Sequence, residues 1–352
     1  MPTPNRAFLL GPLLKGVSRS FYLTLRILPV GMRDPVGLAY LLARAADTIA
    51  DTSLIPPAQR LDLLLALRQR VNNNDHHDDD GALARRLAVE VAGQQVDTGE
   101  KVLLESIGPA LDVLAQLQPA DRSAVQGIVT TLTEGMEFDL RTFPDERSGE
   151  VAALPAMADL DRYTYLVAGC VGEFWTTMTD MHLPGTLKAP LGTMLARGVR
   201  FGKALQMVNV LRDCGKDLRI GRCYLPLEVL HRHGLTPQDL LDPTNSQRAQ
   251  PMCAELIRFA LGHFQEAIAY TFALPRTAIR LRLACLWPIL IGLETLALLA
   301  ENPAWLDPAR VSKVDRNTVY RVLWRSTALV MSDTALRSWM NRLVARIEAR
   351  LR

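Results

Sequence analysis

Gln206, Asn209, Asp213 and Asp217 recur at three- and four-residue spacing through QMVNVLRDCGKD, a stretch otherwise dominated by apolar residues. On a helix that spacing puts all four side chains on one face. Two carboxylates and two amides beside Arg212 make an oxygen-rich strip suited to a hydrated divalent cation and the phosphates it shares with a substrate. A second strip lies far upstream, where LAYLLARAADTIAD sets Asp47 and Asp51 at the same spacing just after Arg44. A lone Asp-x-x-x-Asp is weak evidence, because many surface helices carry one. Two of them, each on a nearly all-apolar helix, are much stronger, since charges on a buried helix need partners or a wet cavity. The two strips are expected to face each other across one cavity. Metal ions there would neutralise a diphosphate leaving group as its carbon–oxygen bond breaks. Arg44, Arg212 and Arg222 would add charge-assisted hydrogen bonds to its oxygens. Apolar walls would then shield the allylic carbocation from water.

The elements that must carry these strips are helical. Apolar residues follow the helical period along the whole chain, and no segment alternates long enough to suggest a sheet, so the chain reads as all-α. A first helix is expected over about Gly11 to Leu28, containing SRSF at Ser18 to Phe21. Pro29, Gly31 and Pro35 then break the chain, and the Asp47 helix is expected from Pro35 to Asp51. A small-residue helix, about Leu160 to Met178, carries Tyr163 and Tyr165 at its start. There a tyrosine is more often packing than chemistry. The Asp213 helix is expected from Pro190 to Asp217, closed by the Gly of GRCYLP.

Composition narrows the function classes. The 352 residues hold 40 basic and 37 acidic side chains, a formal charge of +3 that gives no argument for nucleic acid. The five cysteines show no paired metal spacing and read as reduced thiols of a cytosolic protein. NNNDHHDDDG, with His76 and His77, reads as a solvated loop, and Glu134, Glu137 and Arg141 as surface pairing or a cavity rim. The apolar stretch Leu283 to Leu293 is shorter than the about 20 residues a bilayer requires, and reads as a buried helix. No signal peptide is legible at the start. The final SWMNRLVARIEARLR is amphipathic and basic, a terminal surface helix that could also touch an anionic membrane.

Several blocks in one order, SRSF, YLLARAADTIAD, EGMEFDL, DRYTYLVAGCVG, QMVNVLRDCGKD, GRCYLP and ACLWP, resemble the squalene and phytoene synthase family. The resemblance implies a single all-α domain over residues 1–352, with the isoprenoid-synthase fold and a central cavity between two aspartate-rich motifs. It assigns Asp47 and Asp51 to a first magnesium site and Asn209, Asp213 and Asp217 to a second, with Mn2+ as a possible substitute. Ser18, Arg19, Ser20, Phe21, Tyr40, Arg44, Gln206, Asn209, Arg212 and Arg222 match positions at or beside the diphosphates. Tyr163 matches the tyrosine placed near proton removal. Lys216 departs from the pattern, standing where relatives commonly carry Glu.

What the resemblance implies is a squalene synthase. Such an enzyme joins two farnesyl diphosphates into presqualene diphosphate and reduces that with NADPH, for which no Rossmann fingerprint is present. Phytoene or dehydrosqualene synthase, a synthase stopping at presqualene diphosphate, and a noncatalytic helical assembly factor are the alternatives. The family's eukaryotic members end in a membrane helix that is not legible here, so the expected location is cytoplasmic or membrane-peripheral.

Overall fold

A computed structural model describes residues 5–18, 22–73, 80–94 and 97–351. Among them the chain is helical almost throughout, as its periodicity predicts. The exception is one parallel pairing of Ala152–Ala153 with Arg222–Cys223, which the sequence did not announce. The chain divides into two compact units, residues 1–140 with 177–182, and residues 141–176 with 183–352.

In the first unit the central element is the helix Val30–Asp51. It starts five residues earlier than expected, with Pro29 as its N-cap, and runs through Pro35. Pro35 costs one backbone hydrogen bond, which a helix tolerates near its start. Leu38, Leu41, Leu42, Ala45 and Ile49 are fully buried along it. They pack towards the helices Pro57–Asn72 and Ile107–Ala115. Residues expected to form one helix from Gly11 to Leu28 form instead helical segments over 6–18 and Tyr22–Ile27. Arg19, Ser20 and Phe21 lie outside the described residues, as do His76 and His77.

In the second unit the helix Leu191–Asp217 packs along Gln250–Phe272 and against the turn Tyr165–Gly169. That turn is π-helical and joins Met157–Thr164 to Cys170–His182, where one uninterrupted α-helix was expected. Small residues make the contact possible. A Cβ on Gly172 would lie 1.8 Å from the Gly198 carbonyl oxygen, and one on Gly202 would lie 2.0 Å from that of Ala168. The Asp213 helix closes at Gly221, as GRCYLP suggests; its φ of 83° is left-handed, where glycine is unstrained. The chain then enters the short strand carrying Arg222.

The apolar stretch at Leu283–Leu293 belongs to a longer helix than expected, Ile279–Ala300, in which Pro288 is absorbed. At 22 residues and mean hydropathy 2.0 it is long and apolar enough to cross a membrane, yet 72% of its apolar window is buried. All five cysteines are free and buried.

Candidate functional site

In the first unit Arg44 and Asp47 form an i, i+3 ion pair, with Arg44 Nη1 donating to Asp47 Oδ2 at 2.5 Å. The other terminal nitrogen, Nη2, donates to Glu100 Oε1, also at 2.5 Å. Glu100 was not singled out in the sequence. It is presented by the first turn of the helix Thr98–Glu105, whose N-cap Asp97 accepts from the Gly99 and Glu100 amides at 2.8 and 3.1 Å. Asp51 is exposed at the end of its helix, one turn beyond half-buried Asp47. Burial, followed by the negative charge of Asp51, pushes the Asp47 carboxyl up to about 6, while Arg44 pulls it down.

Tyr40 is half-buried one turn before Arg44 and donates its hydroxyl to the Val17 carbonyl at 3.5 Å. Ser18 is buried, and its hydroxyl donates to the Leu14 carbonyl at 2.5 Å within its own helix. Glu137 binds Arg68 of the helix Pro57–Asn72 at 2.7 Å, a half-buried contact between helices rather than surface pairing along one face.

In the second unit the polar strip forms as its spacing predicts. Gln206, Asn209, Asp213 and Asp217 are all half-buried, while Met207, Val208, Val210, Leu211 and Cys214 between them are buried. The Asn209 amide donates to Gln206 Oε1 at 3.2 Å. Gln206 Nε2 in turn donates to the Tyr163 hydroxyl at 3.4 Å. The Tyr163 ring is 5% exposed and stacks on Tyr224, with centroids 4.5 Å apart. Phe143 meets the Tyr224 ring edge-on at 5.0 Å. Arg212 donates through both Nε and Nη2 to the two carboxylate oxygens of Asp213, so its guanidinium is held beside the strip. Lys216, where the sequence departs from the family pattern, is exposed.

Sequence reasoning also missed the clamp that orients Tyr163. Buried Lys203, one turn before Gln206, binds Asp161 at 2.7 Å. That pair ties the Tyr163 helix to the Asp213 helix, and nothing in a spacing pattern links residues 42 positions apart.

The donors suit a hard divalent cation such as Mg2+. They are all oxygens or amides, and the raised Asp47 beside Asp51 is a like-charged pair whose repulsion a cation would relieve. Among the described residues no group of three or more His, Cys, Asp and Glu side chains could hold an ion by itself.

A family profile described as squalene/phytoene synthase matches residues 14–318. A squalene synthase of Yarrowia lipolytica is 27% identical over 83% of this chain and 61% of its own length. A bifunctional lycopene cyclase/phytoene synthase of Colletotrichum graminicola is 30% identical over 71% of this chain and 39% of its own. The chain therefore spans less than two thirds of these curated relatives. Among solved structures, the ligand complex of TcSQS superposes with a TM-score of 0.77 at 23% identity, covering 98% of this chain and 96% of the other.

Proposed function

Because the chain belongs to the squalene/phytoene synthase family, a family of prenyltransferase-type enzymes, we propose that it condenses two farnesyl diphosphates head to head and reduces the product to squalene. The observation that carries this reading is the half-buried strip Gln206, Asn209, Asp213, Asp217, with buried Met207, Val208, Val210, Leu211 and Cys214 between its members and Gln206 reaching the hydroxyl of a buried tyrosine.

In this reading Asp47 and Asp51, and Asn209, Asp213 and Asp217, hold Mg2+ with the substrate phosphates. The bound ions supply Lewis-acid charge that neutralises the departing pyrophosphate. Arg212, aligned by Asp213, and Arg44, aligned by Glu100, present guanidiniums to phosphate oxygens, and Arg222 adds a third. Ser18, Tyr40, Arg19, Ser20 and Phe21 complete the diphosphate contacts. Ionisation of one substrate leaves an allylic cation whose C1 is attacked by the double bond of the other. Loss of a proton then closes the cyclopropane of presqualene diphosphate. Tyr163 is assigned to the proton-loss step: its ring is fixed by Tyr224 and its hydroxyl oriented by Gln206. Both aspartate motifs serve this one reaction in a single synthase domain. NADPH enters through the resemblance alone, and no residue of this chain is assigned to it.

A second reading, condensation without reduction or on C20 substrates, is favoured by the 30% identical relative whose name includes phytoene synthase. Incubation with farnesyl or geranylgeranyl diphosphate and Mg2+, with and without NADPH, separates the two by product. Squalene formed only with NADPH is expected. A C40 product alone would give the second reading, and accumulation of presqualene diphosphate despite NADPH would mark a synthase that stops there. Asp47→Asn and Asp213→Asn are expected to lower turnover about 100-fold or more with unchanged helical content. Wild-type rates in either would sink the paired-metal reading, whereas no product at all from the wild-type chain would reopen the noncatalytic one.

A further inference from the structure

We propose that the helix Arg316–Leu329 seats this protein on the surface of an anionic phospholipid bilayer. Its sequence, RNTVYRVLWRSTAL, carries three arginines and no acidic residue. One face is fixed to the protein: Val322 and Ser326 are fully buried, and Ser326 Oγ accepts from Trp287 Nε1 at 3.1 Å. The opposite face carries exposed aromatic residues. Tyr320 is 67% exposed and Trp324 80% exposed, one helical turn apart, and Met331 beyond them is 54% exposed. Helical periodicity puts Tyr320 and Trp324 on one stripe, and Met331 follows in the turn after the helix. Arg321 and Arg325 stand exposed along the edge of the stripe, and Arg325 lies over the Trp339 ring at 4.6 Å.

An exposed Trp and Tyr one turn apart, flanked by arginines, match the interface of a bilayer. The aromatic rings enter the headgroup region, while the guanidiniums stay with the phosphates. Near an anionic surface the exposed arginines are drawn to the lipid phosphates, an attraction that salt screens. A second copy of the chain is the poorer occupant, since a two-fold contact through this helix would set arginines against arginines. The neighbouring helix Asp333–Arg350, basic and amphipathic in sequence, has no such face to offer. Its Leu336, Trp339, Met340, Leu343 and Ile347 are buried, and Arg346 and Arg350 are paired with Glu301. The membrane contact suggested by the terminal sequence is thus assigned one helix earlier.

The test is co-sedimentation of the full chain, without substrate, with vesicles of phosphatidylglycerol and phosphatidylcholine in equal parts. Binding is expected to these vesicles, with little to phosphatidylcholine alone, and release at high salt. Two variants separate the contributions: Tyr320→Ser with Trp324→Ser, and Arg316→Gln with Arg321→Gln and Arg325→Gln. Each is expected to weaken partitioning about tenfold or more at unchanged helical content. Wild-type Trp fluorescence should shift to the blue on vesicle addition, and the Trp324→Ser variant should lose that shift. Absence of wild-type binding, or variants that bind as wild type does, would overturn the proposal. So would a dimer that Trp324→Ser dissolves in a protein that ignores vesicles. Because substrate is absent, failure here leaves the proposed reaction untouched.

Discussion

Tyr163 is held by contacts of two kinds: its ring stacks on Tyr224, and its hydroxyl accepts from Gln206. Tyr163→Phe keeps the first and removes the second. Turnover is expected to fall about 100-fold, while the melting temperature hardly moves, because a 3.4 Å hydrogen bond contributes little to stability. Steady-state kinetics beside a thermal melt checks this; a matched loss of both would make the residue packing only. In the sequence this tyrosine could not be told from a core tyrosine, and only the resemblance singled it out. The aspartates and amides of the strips were legible because their period is local. Glu100 and Lys203 were not, because each acts on a partner 42 to 56 residues away.

Between elements, the small residues around Gly169 were legible as a place of close approach, but the element that fills it was not. The partner is the upper part of the Asp213 helix, at Gly198 and Gly202. Gly172→Ala would drive a methyl into backbone, which cannot yield as a side chain can. Destabilisation on the order of 3 kcal/mol or more is expected, read as a lower urea midpoint. Gly192→Ala, whose Cβ would meet nothing within 4 Å, serves as the control and should leave the midpoint in place. The helix ending at Asp217 was read with its bounds, but the helix expected from Gly11 to Leu28 is broken and other boundaries moved. Pro35 was taken as a start, and Tyr165–Gly169 as plain α-helix. A proline near a helix start and an extra residue in a turn cost little once packing holds the rest, so local rules misplace such boundaries.

Across the whole molecule the response to acid has an identifiable source. His263 is 3% exposed, and neither ring nitrogen has a hydrogen-bond partner in the structure. Burial first, then Arg200 and Lys203, push its imidazole down to about 4, against a smaller opposing pull from Asp161. A depressed histidine stabilises the fold above its unfolded value and loses that contribution as pH falls from about 6.5 towards 4. The loss should reach roughly 2–3 kcal/mol. Asp47, being raised, works in the opposite sense over part of the same window. Urea midpoints of wild type and His263→Leu, compared at neutral pH and near pH 4.5, isolate the imidazole. The variant's midpoint should fall less, and parallel decline in both would show that other groups control acid unfolding.

The burial of all five cysteines has a practical corollary. Burial pushes the thiols of Cys223, Cys253 and Cys285 up to about 12 and that of Cys214 upward too, so the thiolate needed for alkylation is scarce. A native sample should take up almost no iodoacetamide, and a urea-unfolded one should take up five equivalents by mass spectrometry. The wild-type chain is then already a blank background for site-directed labelling. A single cysteine introduced at an exposed position could carry a dye or spin probe without first stripping out the native ones.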